Sequence, residues 1–205
     1  MDRPSVLFVC LGNICRSPLA EGVMREAAEL RGIEVRIDSA GTGDWHVGSE
    51  PDRRAQAVAA RHGINISRLR ARQVRPDDFR SFDHIVAMDN ENLAGLRAVA
   101  PPDARARLSL LMDHVPGREG QPVADPYFGD AAGFDATWQD VTLGVEALLE
   151  RLAGEKLADG VHRPRVAVKI AQDGCPFVLH PRPCPVPTHD CCLGCTKGAC
   201  GSFAE

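Results

Sequence analysis

A cysteine and an arginine are separated by five residues near the start of the chain, in the order Cys10-Leu11-Gly12-Asn13-Ile14-Cys15-Arg16-Ser17. Five residues are enough to wrap successive backbone N–H groups around a tetrahedral anion. Arg16 adds a planar, permanently charged donor that matches two phosphate oxygens. A cysteine beside such positive groups favours the thiolate, which is its nucleophilic form. The loop therefore predicts an anion site with a nucleophilic sulfur, as attack on phosphorus requires.

The neighbouring elements favour this interpretation over a chance spacing. A buried cysteine after a strand is often only a small hydrophobic side chain. Here residues 5–10 are predicted to be a buried strand because they form a continuous apolar run. Pro18 fits the first turn of a helix. The positive end of that helix would then point at the loop between strand and helix.

Hydrolysis of a phosphate ester also needs a proton donor for the leaving oxygen. Asp125 is the candidate, since Pro126 and Gly129 on its C-terminal side would fix a loop that holds one carboxyl group. An Asp-Pro pair is also a common turn, so the residues alone leave both interpretations open.

The hydrophobic pattern predicts the elements that position these groups. Strands are expected at 5–10, 35–39, 84–88 and 108–112, and helices at 18–31, 52–62, 93–99 and 134–152. This alternation predicts an α/β fold, a doubly wound four-stranded parallel sheet with helices on both faces. The phosphate-binding loop would follow the first strand, at the sheet edge where such folds bind ligands.

Several ordered motifs resemble the low-molecular-weight protein-tyrosine phosphatases over residues 4–153. They are Val9 to Pro18, Ser39-Ala40-Gly41-Thr42, Trp45, Arg61-His62-Gly63, Met88-Asp89, Asn92 and Asp125-Pro126-Tyr127. The resemblance implies a hydrolase that acts on phosphotyrosine in proteins, and on small aryl phosphates, through a phosphocysteine intermediate. It implies no metal or other cofactor for catalysis.

The resemblance also implies a role for each matching residue. Cys10 would be the nucleophile, Arg16 would bind phosphate, and Asp125 would act first as acid and then as base. Ser17 would donate to the Cys10 sulfur. The other implied roles are phosphate binding for Leu11, Gly12, Ile14 and Cys15, loop support for Asn13, Ser39 and His62, and walls for the substrate ring from Trp45 and Tyr127. His62 also suits a helix C-terminus, where the dipole favours it.

Relatives with other chemistry remain as alternatives. A subgroup that hydrolyses phosphoarginine has threonine after the loop asparagine, whereas this chain has Ile14, which favours phosphotyrosine. Arsenate reductases need two more cysteines near the third strand, and residues 72–100 contain none. A sensor of oxyanions or oxidants could use the same loop, and Cys15 could capture oxidised Cys10 in a reversible disulfide or simply fill space.

Composition limits the partners. The net charge of −4 at pH 7 gives no reason to expect nucleic acid, and the apolar runs are far shorter than the roughly 20 residues that span a bilayer. No secretory leader is recognisable. Only two of eight cysteines precede residue 175, which is unlike a secreted disulfide scaffold. We therefore expect a cytoplasmic protein with no membrane partner and leave its oligomeric state open.

The chain changes character near Gly154, so we expect a phosphatase domain at 1–153 and an extension at 154–205. The extension holds six of the eight cysteines and six of the 15 prolines. It is expected to be poorly ordered, to form disulfides, or to bind a metal such as zinc. Zinc ligands would come from Cys192, Cys195, Cys200 and His189, with Cys191 and His180 as further candidates.

Overall fold

The computed structural model describes residues 3–158. Its sheet contains β1 (Ser5–Cys10), β2 (Arg36–Gly41), β3 (His84–Ala87) and β4 (Arg107–Leu110), all parallel, in the order β2-β1-β3-β4. The helices are α1 (Arg16–Leu30), α2 (Arg53–Arg61), α3 (Asp78–Ser81), α4 (Asn90–Val99) and α5 (Ala131–Ala158), with a 3-10 turn at Leu111–His114. The expected doubly wound α/β fold is confirmed.

Strand β1 is central, and all six of its residues are buried. Val6 and Phe8 face a core shared with α1, α2 and α5, whereas Leu7 and Val9 face a second core shared with α3 and α4. A strand buried on both faces needs apolar side chains at every position, which explains the continuous apolar run. Because β1 is held by this burial, Cys10 at its end lies at the carboxyl edge of the sheet, where folds of this type bind ligands.

Four elements differ from the sequence-based expectation. Strand β2 continues to Gly41, and residues 111–114 turn into a 3-10 helix instead of extending β4. Helix α3 was not predicted, since four residues are too few to show helical periodicity. Helix α5 passes through Gly154 and ends at Ala158, so the expected boundary falls inside a helix. In the described part of the chain no helix is long and apolar enough to cross a membrane.

Candidate active site

The loop after β1 turns its carbonyl oxygens outward. The carbonyls of Cys10 and Leu11 accept the amides of Thr42 and Gly43 at 2.9 Å each, and that of Ile14 accepts an amide at 2.8 Å. In a trans peptide the N–H points opposite to the C=O. The amides that follow these carbonyls therefore point into the loop, where together they form a concave anion site.

The close packing of this loop depends on two backbone positions. Asn13 has φ of 54°, a left-handed conformation that asparagine tolerates better than most residues. At Gly41 a Cβ atom would lie 2.8 Å from the Leu11 carbonyl oxygen and 3.2 Å from the Gly12 carbonyl carbon, so only glycine permits this approach. The end of β2 thus serves as a rigid support beneath the loop.

A chain of buried hydrogen bonds leads from the Cys10 sulfur into the protein. Sγ accepts from the Asn13 amide at 3.3 Å and lies 3.1 Å from Ser17 Oγ. Asn13 Nδ2 donates to Ser17 Oγ at 2.9 Å and to Ser39 Oγ at 2.8 Å. The single Ser17 proton has two acceptors in reach, the Cys10 sulfur at 3.1 Å and the Ala40 carbonyl at 3.4 Å, and the sulfur is the nearer of the two. Both contacts to Sγ suit a thiolate.

The network ends on Glu21, a buried carboxyl group in α1 that accepts from Ser39 Oγ at 2.5 Å. Burial raises its pKa, while the Ser39 hydrogen bond and the half-exposed Arg25 oppose that shift. On the other side, Asn13 Oδ1 accepts the backbone amide of Arg72 at 2.9 Å. Every polar atom of the Asn13 amide group is therefore used to hold the loop.

Arg16 lies at the rim of the loop with a side chain only 3% exposed. Nη1 donates to Asp89 at 2.6 Å and to the Val123 carbonyl at 3.1 Å, and Nη2 donates to Asp125 at 2.5 Å. Burial opposes its charge, but the negative charges of Cys10, Asp125 and Asp89 together raise its pKa. Its buried Nε has no hydrogen-bond partner among the described residues, which leaves one donor for an oxyanion.

The loop that carries Asp125 lies on the surface. The Asp125 side chain is 41% exposed, and its Oδ1 accepts the Tyr127 amide at 3.0 Å. Phe128 is 98% exposed. From α2, Arg54 donates to the carbonyls of Tyr127 and Gly129 at 3.0 Å each. Pro126 is buried but the other four residues of this loop are exposed, so ionic and polar contacts do most of the positioning.

These loops enclose one cavity of about 140 Å³. The predicted residues that line it are Cys10, Leu11, Gly12, Ile14, Cys15, Arg16, Trp45, Asp125 and Tyr127. A larger open groove of about 600 Å³ runs along α2, but the Cys10 loop takes no part in it. The smaller cavity is therefore the candidate site, since it brings the predicted nucleophile, arginine and carboxyl group together.

The structure does not place His62 with the loop, and the prediction of a buried supporting role is wrong. His62 is exposed at the C-terminal cap of α2, and its ring stacks on Trp138 with centroids 4.3 Å apart and planes 8° apart. The backbone amide of Arg72 is the donor that completes the Asn13 contacts instead. Trp138 is buried, as its position on the apolar face of α5 predicts.

Sequence reasoning assigned no role to five residues near the site, although Asp89 belongs to one of the matching motifs. They are Glu21 under Ser39, Asp89 on Arg16, Arg72 behind Asn13, Arg54 under the Asp125 loop, and His46 beside the cavity. Glu21 had a signal, since it lies four residues after Ser17 and thus on the same helix face. The others act across the fold, where spacing along the chain carries no information.

Among residues 3–158, no group of three or more histidine, cysteine, aspartate or glutamate side chains is arranged to hold a metal ion. The predicted zinc ligands Cys192, Cys195, Cys200 and His189 lie outside the described residues.

An amide-lined loop with a buried cysteine, on a doubly wound sheet, is typical of phosphatases that use a thiolate nucleophile.

Comparison with known proteins gives the family. Residues 5–158 match the model of the low molecular weight phosphotyrosine protein phosphatases. The low molecular weight protein-tyrosine-phosphatase YfkJ of Bacillus subtilis is 42% identical over 154 residues, which cover 74% of this chain and 97% of the relative. The corresponding phosphatase of Schizosaccharomyces pombe is 47% identical over 132 residues, 63% of this chain and 84% of the relative.

Solved structures agree. The crystal structure of YfkJ is 40% identical, covers 76% of this chain and 98% of its own, and gives a TM-score of 0.71. That of DARP, an arginine phosphatase of Drosophila, is 35% identical, covers 71% and 96%, and gives 0.67. The chain belongs to the low molecular weight phosphotyrosine protein phosphatase family, hydrolases that act on phosphotyrosine and need no cofactor for catalysis.

Proposed function

We propose that the chain hydrolyses phosphotyrosine in two steps through a phosphocysteine at Cys10. In the first step the Cys10 thiolate forms a bond to phosphorus, the bond to the tyrosyl oxygen breaks, and Asp125 gives that oxygen its proton. In the second step water attacks phosphorus, Asp125 takes a proton from it, and phosphate leaves as the thiolate is restored. The observation that carries this proposal is the meeting of Cys10, Arg16 and Asp125 in one cavity.

The contacts of the loop support the assignment of roles. Inward amides and the Arg16 fork supply donors for the phosphoryl oxygens, and charge that develops in the transition state is stabilised by donors already in place. The Ser17 hydroxyl, 3.1 Å from the sulfur, stabilises the thiolate both before attack and as it leaves. Arg16 Nη2 donates to Asp125 when the site is empty, and the substrate phosphate competes for that donor. The Asp125 carboxyl group is then free to turn toward the leaving oxygen.

The walls of the cavity support an aryl substrate. Trp45 and Tyr127 line it and are 71% and 39% exposed, so both rings are accessible to a substrate ring. Likeness to an arginine phosphatase leaves phosphoarginine as the second candidate. Ile14 of the loop, in place of threonine, supports phosphotyrosine. The ratio of kcat/KM for a phosphotyrosine peptide and a phosphoarginine peptide tests this choice, and a ratio below 1 would reverse it.

Two substitutions test the mechanism against an oxyanion sensor or an arsenate reductase. Cys10→Ser is expected to abolish turnover of aryl phosphates, and measurable hydrolysis would reject the nucleophile. Asp125→Ala is expected to lower kcat by about 10²–10⁴ while vanadate still binds. A sensor needs no general acid, so unchanged kcat in this variant would favour that alternative. The arsenate reductase alternative is tested by measuring, in parallel, arsenate reduction coupled to a thiol reductant.

Sensitivity to oxidants is part of the proposal. Cys10 and Cys15 are both buried free thiols on one loop. Peroxide would convert the Cys10 thiolate to a sulfenic acid, and the Cys15 thiol would displace water to form a disulfide. Burial, followed by the nearby charges of Asp52, Cys10 and Asp125, raises the pKa of Cys15, so it rests as a neutral thiol and must lose its proton as it attacks the oxidised Cys10 sulfur. Inactivation by peroxide that dithiothreitol does not reverse would contradict this route.

The same chemistry supports a cytoplasmic location, since Cys10 must stay reduced and disulfides are rare in that compartment. Fractionation of cells against marker enzymes tests it.

The extension beyond residue 158 stays a prediction. After mild dialysis of the full-length protein, zinc below about 0.2 equivalents would contradict a structural zinc site, given how tightly such sites bind. Equal activity of the full chain and a chain ending at residue 158 would confine catalysis to the phosphatase domain.

A further inference from the structure

The surface loop of residues 125–129 is held by one side chain from α2. Arg54 Nη2 donates to the Tyr127 carbonyl and Nη1 to the Gly129 carbonyl, both at 3.0 Å. The guanidinium carbon also lies 5.9 Å from the centre of the Tyr127 ring and 4.7 Å from that of Phe134. Two carbonyls on either side of Phe128 therefore share one rigid donor group.

Arg54 is itself fixed on the opposite edge. Its Nε donates to Asp52 Oδ1 at 3.0 Å and its Nη2 to Asp52 Oδ2 at 2.9 Å, a bidentate pair. This hydrogen bonding raises the pKa of Arg54 and lowers that of Asp52. Asp52 is held in turn, because it caps α2 by accepting the Arg54 amide at 2.7 Å.

The same aspartate is joined to the nucleophile loop. The Asp52 backbone amide donates to the Ile14 carbonyl at 2.8 Å. A continuous path thus runs from the Cys10 loop through Asp52 and Arg54 to the loop that carries Asp125. Each contact in this path is specific to one geometry, since a bidentate fork and a carbonyl bond both require alignment.

We propose that Arg54 is a positioning residue that sets Asp125 at the correct distance from the leaving oxygen by fixing the acid loop to the nucleophile loop. The proposal rests on Asp125 being the general acid, as proposed above. Arg54 does not line the cavity that holds Cys10, Arg16 and Asp125, so in this proposal it acts through the loop. A misplacement of about 1 Å can cost up to about 100-fold in rate, so a clamp of this kind has a measurable effect.

Leaving-group dependence is the readout that a merely structural role would not change. Phenyl phosphate releases a poor leaving group that needs the proton, whereas 2,4-dinitrophenyl phosphate releases a good one that does not. Arg54→Ala is expected to lower kcat/KM about 10- to 100-fold for phenyl phosphate and less than about threefold for the dinitrophenyl ester. Vanadate affinity is expected to remain, because the phosphate loop keeps its own contacts.

Matched variants make the result specific. Arg53→Ala removes the same charge from the neighbouring position, whose side chain faces the α2 groove instead, and is expected to have no leaving-group effect. Arg54→Lys keeps the charge but not the fork and is expected to fall between wild type and alanine. It also keeps the proposal testable if the alanine variant does not fold.

The double variant decides whether Arg54 acts through Asp125. If it does, Arg54→Ala adds nothing to Asp125→Ala with phenyl phosphate, because the acid is already absent. Equal losses for both esters in Arg54→Ala, or additive losses in the double variant, would overturn the proposal. If instead Asp125→Ala itself shows no loss with phenyl phosphate, the assignment of the general acid fails, and that outcome is distinct from a failure of Arg54 alone.

Discussion

The loop of residues 10–16 and the loop of residues 125–129 meet in one cavity, but five of the seven residues of the first are buried, whereas four of the five residues of the second are exposed. Cys10 is 3% exposed, whereas Phe128 in the middle of the acid loop is 98% exposed. The first loop is held by buried hydrogen bonds around Asn13, and the second by partly exposed arginine contacts.

This difference matches what each loop must do. Donors that stabilise a transition state work best when fixed beforehand in a site of low dielectric, which requires burial. A proton donor must meet a varying leaving group at the mouth of the site, so it stays near solvent. We infer that damage to the first loop costs stability and activity together, whereas damage to the second costs activity alone.

Asn13→Ala, which damages the buried loop, is expected to have the largest effect on stability and activity. It leaves the Arg72 amide without its acceptor and the hydroxyl oxygens of Ser17 and Ser39 without a donor, at about 1–3 kcal/mol. It also puts alanine in a left-handed conformation, at about 1–2 kcal/mol. Urea unfolding is expected to show a loss of about 2–5 kcal/mol, together with weaker vanadate binding. Asn13→Gly loses the same hydrogen bonds but avoids the conformational cost, because glycine tolerates a positive φ. Equal losses in both variants would therefore show that the left-handed conformation contributes nothing to the loss of stability. Phe128→Ala, the surface counterpart, is expected to change unfolding by less than about 0.5 kcal/mol.

Glu21 gives a pH test of the buried loop. Burial raises its pKa in the folded state, so between its unfolded value of about 4.3 and the folded value the native protein binds the additional proton. Unfolding free energy must therefore fall as pH rises through that window. Urea denaturation is expected to show this slope in wild type and in Glu26→Gln, an exposed control on α1, but less of it in Glu21→Gln. If Glu21→Gln kept the same dependence of unfolding free energy on pH, a group other than Glu21 would be its cause.

The sequence predicted the sheet and the Cys10 loop because both depend on local pattern. An apolar run, a proline in the first helical turn and a fixed spacing are visible along the chain. The contacts of Arg54 with Tyr127 and Gly129 join positions about 75 residues apart, so no local pattern reports them. His62 shows the opposite case, since its position at a helix end, read from the residues alone, is what the structure has. The wrong role came from the resemblance, because the direction of its ring depends on packing against Trp138 of α5.

Tyr127 offers a smaller effect that should separate binding from chemistry. Tyr127→Ala removes a ring from the cavity wall, and a lost aromatic contact of about 0.5–1.5 kcal/mol corresponds to a rise in KM of about 2- to 12-fold. Inhibition by inorganic phosphate, which has no ring, is expected to be unchanged. Tyr127→Phe serves as the control that keeps the ring. A fall in kcat without a change in KM would instead indicate that the acid loop had moved.

His62→Ala is the smallest expected effect. The exposed His62 ring stacks on the buried Trp138, outside the network that holds the loop, so kcat/KM and vanadate affinity are expected to stay within twofold of wild type. Loss of the stacked pair is expected to lower unfolding free energy by about 0.5–1.5 kcal/mol. His62→Phe keeps an aromatic ring and is expected to restore most of that loss. If His62→Ala instead lowered kcat/KM as Asn13→Ala does, the surface of α2 would be coupled to the buried loop, and the contrast between the two loops would no longer hold.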